Sequence, residues 1–491
     1  MQRPPQTSLG KTLKMRRLVQ GLWQMADQER DGRSLDLDAA AEALLAYARA
    51  GFDTFDMADH YGSAEIVAGM VHKAMRDAGE TPPTILTKWC PAPGPMEAGT
   101  VRAGVERALN RLGVECIDLM QFHWWRYEDQ AYLEALSHLD ALRQEGLIRE
   151  IGLTNFDAAH LRMILRHGIP IASNQVCFSM LDRRARGAMA QVAQDHGVAI
   201  LAFGTMAGGF LSNRSLGQPE PAQIDDWSRM KYKRFIDRAG GWSQFQDLLE
   251  VLNTVARRHA VSISNIVTAW TLTQPGISAC IVGTRLTEGD HRADNLRGLT
   301  VALTAEDQAQ IEHALSGLAP IPGDCGDEYR KPPFLTASGD LSHHLSALPS
   351  PLPVVTRHGR QQAQSGSIWE EKAGFSRALR SGSRILVSGT TATAPDGTMV
   401  CPGDVEGQAV FAFDKVKAAL LSLGGREEDV VRTRIYLRHA KDWEPVSAAH
   451  ARAFGSARPA NTLIGGVDLI GDYLIEVEAE AELHQMAEPK G

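Results

Sequence analysis

Short apolar runs alternate with longer amphipathic runs between Leu18 and about Ala319. The longer stretches, such as 37–50, 99–113 and 129–146, repeat their apolar residues at helical spacing and predict helices. The short runs have the length and composition of buried strands. There are eight of them: LVQGLWQ (18–24), FDTFDMA (52–58), TILTKW (84–89), IDLMQFHW (117–124), IREIGLTN (148–155), ASNQVCFS (172–179), AILAFGT (199–205) and SACIVGT (278–284).

Strands that alternate with helices predict parallel βαβ units. Eight such units in about 300 residues predict an α/β fold, a closed (β/α)8 TIM barrel, for residues 1–319. The alternative is an open doubly wound sheet. That fold usually carries GxGxxG after its first strand when it binds a dinucleotide, and no such motif follows LVQGLWQ.

Residues 320–356 are rich in proline and serine, and proline is excluded from helix interiors and central strands. We interpret this stretch as a linker or as a strap along the surface. Residues 357–491 then mix the two patterns without strict alternation. Four strand-like runs, RILVSGTTA, DVVRTRIYLR, RPANTLIGG and DYLIEVEAEAEL, accompany two helix-like runs at 404–424 and 442–455. PDGTMV (395–400) predicts a turn that leads into a further strand. This pattern predicts a smaller α+β unit with one sheet and two helices.

Composition and charge narrow the choice of partners. The 491 residues carry a formal net charge of −8, which argues against nucleic acid because phosphate binding needs a basic face. Six cysteines without a CxxC pair indicate reduced thiols. No signal peptide is evident, and no run approaches the roughly 20 apolar residues that span a bilayer. We therefore expect a cytoplasmic protein with no membrane partner.

Titratable residues follow three of the predicted barrel strands. Asp56 and Tyr61 follow the second, Lys88 ends the third and His123 ends the fourth. Barrel chemistry occurs at the carboxyl ends of the strands, so these four side chains should converge. A Lys88 ammonium would lower the pKa of Tyr61 and would itself be held by Asp56, while His123 would donate a hydrogen bond to the substrate. Tyr61 could then serve as the general acid for a carbonyl that receives hydride.

These residues resemble the Asp, Tyr, Lys and His tetrad of the aldo-keto reductase family, and the resemblance covers about residues 15–318. It implies an oxidoreductase that reduces a small carbonyl or imine substrate. Further blocks, GLTNF, SNQVCFS, FGTMAGGFL and IVGTR, also look like the family. The resemblance implies that Asn155 and Gln175 hold the carboxamide of the nicotinamide. It also implies that the loop with Phe203, Gly204 and Gly208 runs along the cofactor pyrophosphate, and that the adenosine end is bound by Gly283, Thr284, Arg285, Arg292 and Asn295.

Arg285 and Arg292 are available for a 2′-phosphate, which favours NADPH, and NADH stays open. Two extra residues around Gly289–Asp290 depart from the family pattern in this loop. The long loop 216–245 could close over the substrate. In that case Trp227 or Tyr232 would line the pocket.

No metal is expected. Asp59 and His60 lack a cysteine or a third histidine at metal-binding spacing in the sequence, and His343 and His344 lack a third ligand nearby.

The second unit resembles the Rid family over about residues 357–486, which implies a chorismate-mutase-like α+β fold. Members of that family are typically trimers with sites between subunits, and some hydrolyse 2-imino acids. On the sequence register, Asn461 stands where active members carry an arginine, Arg458 lies three residues earlier, and Glu476 matches the family's glutamate. The unit could therefore oligomerise the chain or bind a nitrogenous ligand. The alternatives are a bifunctional reductase and imine deaminase, and a nicotinamide-binding sensor or scaffold built on a Rid trimer.

Overall fold

The computed structural model describes residues 3–29, 34–284, 291–330 and 349–483. Several positions considered above lie outside these ranges: Arg285, Gly289, Asp290, His343 and His344. Among the described residues, no helix has both the length and the apolar character needed to cross a membrane.

The chain opens with an antiparallel hairpin of β1 (Gln6–Leu9) and β2 (Leu13–Arg16). Its buried side chains, Leu9, Leu13 and Met15, belong to one apolar cluster with residues from the barrel strands, among them Leu86 and Leu201. The hairpin therefore closes one end of the barrel interior. It was not predicted.

Eight parallel strands form a closed barrel, and the last strand pairs with the first. All eight predicted strands and the barrel fold are confirmed. The strands are β3 (Leu18–Gly21), β4 (Thr54–Asp56), β5 (Thr84–Trp89), β6 (Ile117–His123), β7 (Ile148–Thr154), β8 (Ser173–Cys177), β9 (Ala199–Phe203) and β10 (Ile277–Gly283).

Helices surround the barrel. In chain order they are α1 (Trp23–Glu29), α2 (Leu37–Arg49), α3 (Ala64–Asp77), α4 (Ala98–Leu112), α5 (Ala131–Gln144), α6 (Ala158–Arg166), α7 (Ala188–His196), α8 (Trp227–Ala239), α9 (Trp242–Arg258), α10 (Ile263–Leu272), α11 (Arg292–Gly298), α12 (Ala305–Ser316) and α13 (Asp327–Arg330). Polar side chains cap the N-termini of several of these helices. The Asp157 side chain accepts from the His160 backbone at the start of α6, and the Asp226 side chain accepts from the Arg229 backbone at the start of α8.

Part of the stretch interpreted as a linker packs on the barrel. Ile321 and Cys325 are buried in the main barrel core, and helix α13 follows them. Farther along, the Pro349 carbonyl oxygen accepts a hydrogen bond from Arg126.

The second unit is a seven-stranded sheet with the order β11-β12-β13-β14-β17-β15-β16. Its strands are β11 (Val354–Arg357), β12 (Arg360–Ala363), β13 (Ala378–Ser381), β14 (Arg384–Thr390), β15 (Val430–Leu437), β16 (Ala460–Gly465) and β17 (Ile475–Glu482). Its helices are α14 (Ile368–Ala373), α15 (Val405–Ser422) and α16 (Trp443–Phe454). Four of the predicted strands and both long helices are present, whereas the strand predicted after the PDGTMV turn is reduced to a single bridge between Thr393 and Met399. The first three strands and α14 were not predicted, and β11 begins inside the stretch interpreted as a linker.

The two units share one apolar cluster. Val400, Cys401 and Phe411 of the second unit belong to the same buried cluster as Leu161 and Ile164 of α6. Helix α15 packs directly on α6. The contact between the units is therefore part of the core, and its polar groups are considered in the Discussion.

Candidate active site

A cavity of about 1070 Å³ opens at the carboxyl ends of the barrel strands. This volume lies at the upper end of the range typical of ligand pockets. The four residues expected to converge, Asp56, Tyr61, Lys88 and His123, all line it. The strands bring these positions together, although they are spread over almost 70 residues of sequence.

Asp56 and Lys88 form a buried ion pair at the base of the cavity, each about 4% exposed. The Lys88 Nζ lies 2.6 Å from Asp56 Oδ2 and 3.0 Å from the Met57 carbonyl oxygen. The other carboxylate oxygen of Asp56 accepts from the side-chain amides of Gln121 and Gln175, at 2.9 and 2.7 Å. This arrangement holds Lys88 in one position beside Tyr61, because a buried charge is retained only where it is paired and hydrogen-bonded.

The pKa of Tyr61 is raised, whereas a lowered value was expected from the nearby Lys88 ammonium. Burial raises the pKa of the Tyr61 phenol well above its ordinary value of 10.0, and the Asp56 carboxylate raises it further. The Lys88 ammonium lies 5.1 Å from the centre of the Tyr61 ring and donates its hydrogen bonds to Asp56 and Met57. The phenol therefore stays protonated around neutral pH, which is the form that a proton donor requires.

His123 ends β6, and its imidazole is oriented by the backbone. The Nδ1 lies 3.2 Å from the Thr154 carbonyl oxygen, and a carbonyl only accepts, so Nδ1 carries a proton. In the neutral ring Nε2 then accepts hydrogen bonds, and it donates only in the imidazolium. Donation from His123 to a substrate oxygen thus needs the charged ring. The Trp125 ring packs edge-on against it, with 4.3 Å between centroids.

The residues expected to hold the nicotinamide lie together. Asn155 and Gln175 line the cavity, and the Asn155 backbone N–H donates to the Gln175 carbonyl oxygen at 2.8 Å. Asn155 has a positive φ of 61°, which places a non-glycine residue in the left-handed region. Its buried Oδ1 has no hydrogen-bond partner among the described residues. A carboxamide N–H is the kind of donor that such an oxygen needs.

Most of the other expected cofactor residues also line the cavity: Phe203, Gly204, Gly208, Gly283 and Asn295. Gly204 has a φ of 71°, and a Cβ there would come 2.2 Å from the Tyr232 hydroxyl, so only glycine fits. Two expected residues do not line the cavity. Thr284 is buried and donates to Gln20, while Arg292 donates to the Ala46 carbonyl oxygen and lies over the Tyr47 ring.

In the folded chain, a third potential metal ligand lies beside Asp59 and His60. Cys90 lies close in space to Asp59 and His60, with potential ligand atoms of all three within 4.8 Å of one another. Sequence spacing could not show this, because Cys90 follows the next strand of the barrel. The Asp59 carboxylate already accepts from the Cys90 backbone N–H and contacts His60 Nδ1.

The expected site residues of the second unit do not converge within one chain. Asn461 lies opposite Thr433 on β15, whereas Glu476 lies opposite Tyr436, about 10 Å farther along the strand. The Asn461 amide donates to the Thr433 hydroxyl, which contacts His450. Burial raises the pKa of Glu476, and the Glu478 carboxylate adds to this. Arg458 is exposed, with a φ of 48°.

Residues 17–316 match the Aldo/keto reductase family. The chain belongs to the aldo/keto reductase family. Members of this family are oxidoreductases that use nicotinamide cofactors. Residues 368–483 match the family described as Endoribonuclease L-PSP, so this aldo/keto reductase also carries the Rid domain that the sequence predicted.

Three relatives are similar to this chain over stretches of different length. The chain is 23% identical to the NADH-specific methylglyoxal reductase of Escherichia coli over 328 residues, which cover 63% of this chain and 98% of that protein. It is 27% identical to an aldo-keto reductase of Strobilurus tenacellus over 297 residues, covering 58% of this chain and 84% of the other. It is 39% identical to an uncharacterized protein of Streptomyces coelicolor over 130 residues, covering 26% and 95% of the two chains.

A solved structure of a thermostable aldo-keto reductase in complex with epalrestat is also similar. It shares 22% identity with this chain, with a TM-score of 0.46, and the match covers 64% of this chain and 99% of that one.

Lys231 and Tyr329 line the aldo/keto reductase cavity and were missed by reasoning from the sequence. Trp23, whose place near a strand end made it a plausible pocket wall, packs edge-on against Tyr61 with 4.9 Å between ring centroids. His60 packs against Tyr61 in the same way and at the same distance. Tyr232 lines the cavity as expected, but Trp227 does not.

Proposed function

We propose that the chain reduces the carbonyl or imine carbon of a small molecule with a nicotinamide cofactor, and that Tyr61 is the general acid. The observation that carries the proposal is the meeting of Tyr61, His123 and the Lys88–Asp56 ion pair at one cavity wall. A bound nicotinamide would supply hydride to the substrate carbon. The developing negative charge on the substrate oxygen or nitrogen is then met by a protonated phenol that needs no prior reorganisation.

Each protein group has a distinct part in this reaction. Tyr61 gives its phenolic proton to the substrate heteroatom, and the raised pKa keeps that proton available. The Lys88 ammonium stabilises the phenolate that remains, and Asp56 holds Lys88 in place. His123 fixes the direction from which the substrate approaches. Asn155 and Gln175 would orient the nicotinamide through its carboxamide, since the Asn155 Oδ1 awaits a donor.

NADPH is the cofactor to test first, with NADH as its alternative. Arg285 lies outside the described residues, and the Arg292 guanidinium contacts Ala46 and the Tyr47 ring. Support for a 2′-phosphate site therefore rests on the sequence of this loop. The NADH-specific relative makes a direct comparison of the two cofactors necessary.

The proposal is tested by following cofactor oxidation at 340 nm with the whole chain and a panel of aldehydes, ketones and cyclic imines. We expect turnover of at least one class with NADPH or NADH. The ranking of imines against carbonyls of equal shape tests whether the fused units share a nitrogenous substrate. Tight cofactor binding without turnover of any compound would contradict a reductase and support the sensor or scaffold function.

We also propose that the Rid domain assembles the chain into a trimer. Among the described residues, no helix covers one face of its sheet, and that face exposes Leu386, Val431 and Ile464 to 41%, 47% and 47%. The same face has an ion-pair ladder of Arg384 and Arg434 with Glu478 and Glu480. Such a mixed apolar and paired surface suits contact with another copy. Asn461 at the family's arginine position favours assembly over imine hydrolysis.

An Ile464→Asp substitution should convert the trimer into monomers, because it places a charge on the apolar part of the open sheet face. Size-exclusion chromatography with light scattering measures the change. Ile66→Asp is the matched control, since Ile66 is 42% exposed on barrel helix α3 and should leave the mass unchanged. A wild-type chain that is monomeric at tens of micromolar would contradict the proposed assembly.

A further inference from the structure

A buried lysine from helix α8 lies at the wall of the cavity. Lys231 is 5% exposed, and its Nζ donates to the Tyr329 hydroxyl at 2.7 Å. Within the described ranges, no carboxylate oxygen lies within 4.0 Å of this Nζ, and Tyr329 is its one hydrogen-bond acceptor. An ammonium has three donors, so two of them remain for a ligand.

Among the described residues, the Lys231 ammonium forms no ion pair with a carboxylate, although neighbouring groups favour its charged form. The Glu328 carboxylate favours the charged form of Lys231, but it forms its own ion pair with Arg184 at 2.9 Å, and Asp182 shares the same guanidinium. The Lys231 Nζ lies 4.4 Å from the Tyr329 ring centre and 5.2 Å from that of Phe203. Aromatic faces stabilise a cation without neutralising it. The cavity therefore presents a positive charge in a medium where attraction to an anion is stronger than in water.

The position of this charge relates it to the reacting groups. The Tyr329 ring lies 5.8 Å from the His123 ring, and Phe203 ends β9 at the start of the loop expected to run along the cofactor pyrophosphate. Lys231 and Tyr329 thus lie between the substrate-orienting histidine and the cofactor residue. Lys231, Tyr329 and Tyr61 line the same cavity.

We propose that Lys231 and Tyr329 bind the carboxylate of an oxo-acid substrate whose carbonyl faces Tyr61 and His123. This inference rests on the proposed reductase function and names its substrate class. The same positive charge could instead meet a phosphate of the cofactor. The location beside His123 favours the substrate carboxylate, and the experiment separates the two sources.

The test compares matched pairs of an oxo acid and its neutral amide: 2-oxobutanoate with 2-oxobutanamide, and 4-oxobutanoate with 4-oxobutanamide. We expect the Lys231→Met substitution to lower kcat/KM for at least one acid by about 10- to 100-fold, the size of one charged hydrogen bond. The amides should change by less than about 3-fold, and the loss should appear mainly in KM. Lys231→Arg should restore part of the preference, and Tyr329→Phe should give a smaller loss.

Lys233→Met is the matched control, because Lys233 lies on the same helix but pairs with Glu220 and Asp237 and does not line the cavity. Equal losses for acids and amides in Lys231→Met, together with weaker binding of NADPH or NADH, would assign the lysine to a cofactor phosphate and overturn the proposal. A wild-type chain that reduces the amides as well as the acids would also overturn it.

Binding measured by calorimetry keeps the inference separate from the reductase function. If no compound is turned over, the reductase proposal fails. In that case, binding of 2-hydroxybutanoate, but not 2-hydroxybutanamide, to the cofactor-saturated chain would still support the carboxylate site. Loss of that binding in Lys231→Met is the expected result, and its persistence would contradict the site.

Discussion

A Tyr61→Phe substitution should lower kcat for carbonyl reduction by about 100- to 10,000-fold, the usual contribution of a positioned general acid. The change removes one oxygen atom and leaves the ring between Trp23 and His60. Without the phenol, no proton donor meets the negative charge that develops on the substrate heteroatom. Steady-state rates at 340 nm and single-turnover rates measure the loss.

Two comparisons separate lost chemistry from lost structure. Cofactor affinity, measured by fluorescence titration, should change little, because Tyr61 is not among the residues expected to hold the nicotinamide. Tyr132→Phe is the matched control: Tyr132 is fully buried away from the cavity, and its hydroxyl has no hydrogen-bond partner in the described part of the chain. Retention of more than about a third of the wild-type kcat in Tyr61→Phe would mean that another group donates the proton.

The barrel could be predicted from the sequence because parallel strands are buried on both faces and read as short apolar runs. The N-terminal hairpin and the first three strands of the second sheet could not be predicted in this way. Strands β11 and β12 are mostly exposed, with sequences VVTR and RQQA, and they carry no continuous apolar run. Their pairing depends on neighbours that a local pattern does not reveal.

The tetrad was within reach of sequence reasoning because its members follow consecutive strands. Lys231 and Tyr329 were not, since one comes from a helix inside a long loop and the other from a segment after the last barrel strand. The direction of the Tyr61 pKa shift could not be predicted from the sequence either. Burial is its largest cause, and burial is a property of the folded cavity.

The contact between the two units was likewise invisible in the sequence, where His160 and Asp414 are separated by 254 positions. The His160 ring is stacked on the Tyr127 ring and has a carboxylate at each nitrogen. Its Nδ1 lies 2.8 Å from Asp157, and its Nε2 lies 2.7 Å from Asp414 of helix α15. Arg452 and Lys417, both of the second unit, pair with the same two carboxylates. The domains are therefore joined by a buried network of ion pairs and hydrogen bonds.

Replacing His160 with leucine should lower the free energy of unfolding by about 3–5 kcal/mol, because it removes one partner from a buried pair and leaves the carboxylates facing an apolar side chain. Urea and calorimetric unfolding of the whole chain measure this change, and we expect the second unit to unfold separately from the barrel. His138→Leu on helix α5 is the matched control. His138 is half-buried, lies 3.9 Å from Glu134, and should change stability by less than about 0.5 kcal/mol.

Acid should weaken the same network in the wild-type chain. Burial alone would raise the pKa of Asp414, but Lys417 and His160 lower it from 3.8 to about 2. Burial likewise opposes the lowering of the Asp157 pKa by Arg452 and His160, and the net shift is well below the ordinary value. A carboxyl with a lowered folded pKa stabilises the fold above its unfolded pKa and loses that contribution as the pH falls through the folded value. The stability difference between wild type and His160→Leu should therefore shrink as the pH falls from about 4 to about 2. A difference that stays constant over this range would mean that packing of the His160 ring on Tyr127, and not its contacts with the two carboxylates, joins the two units.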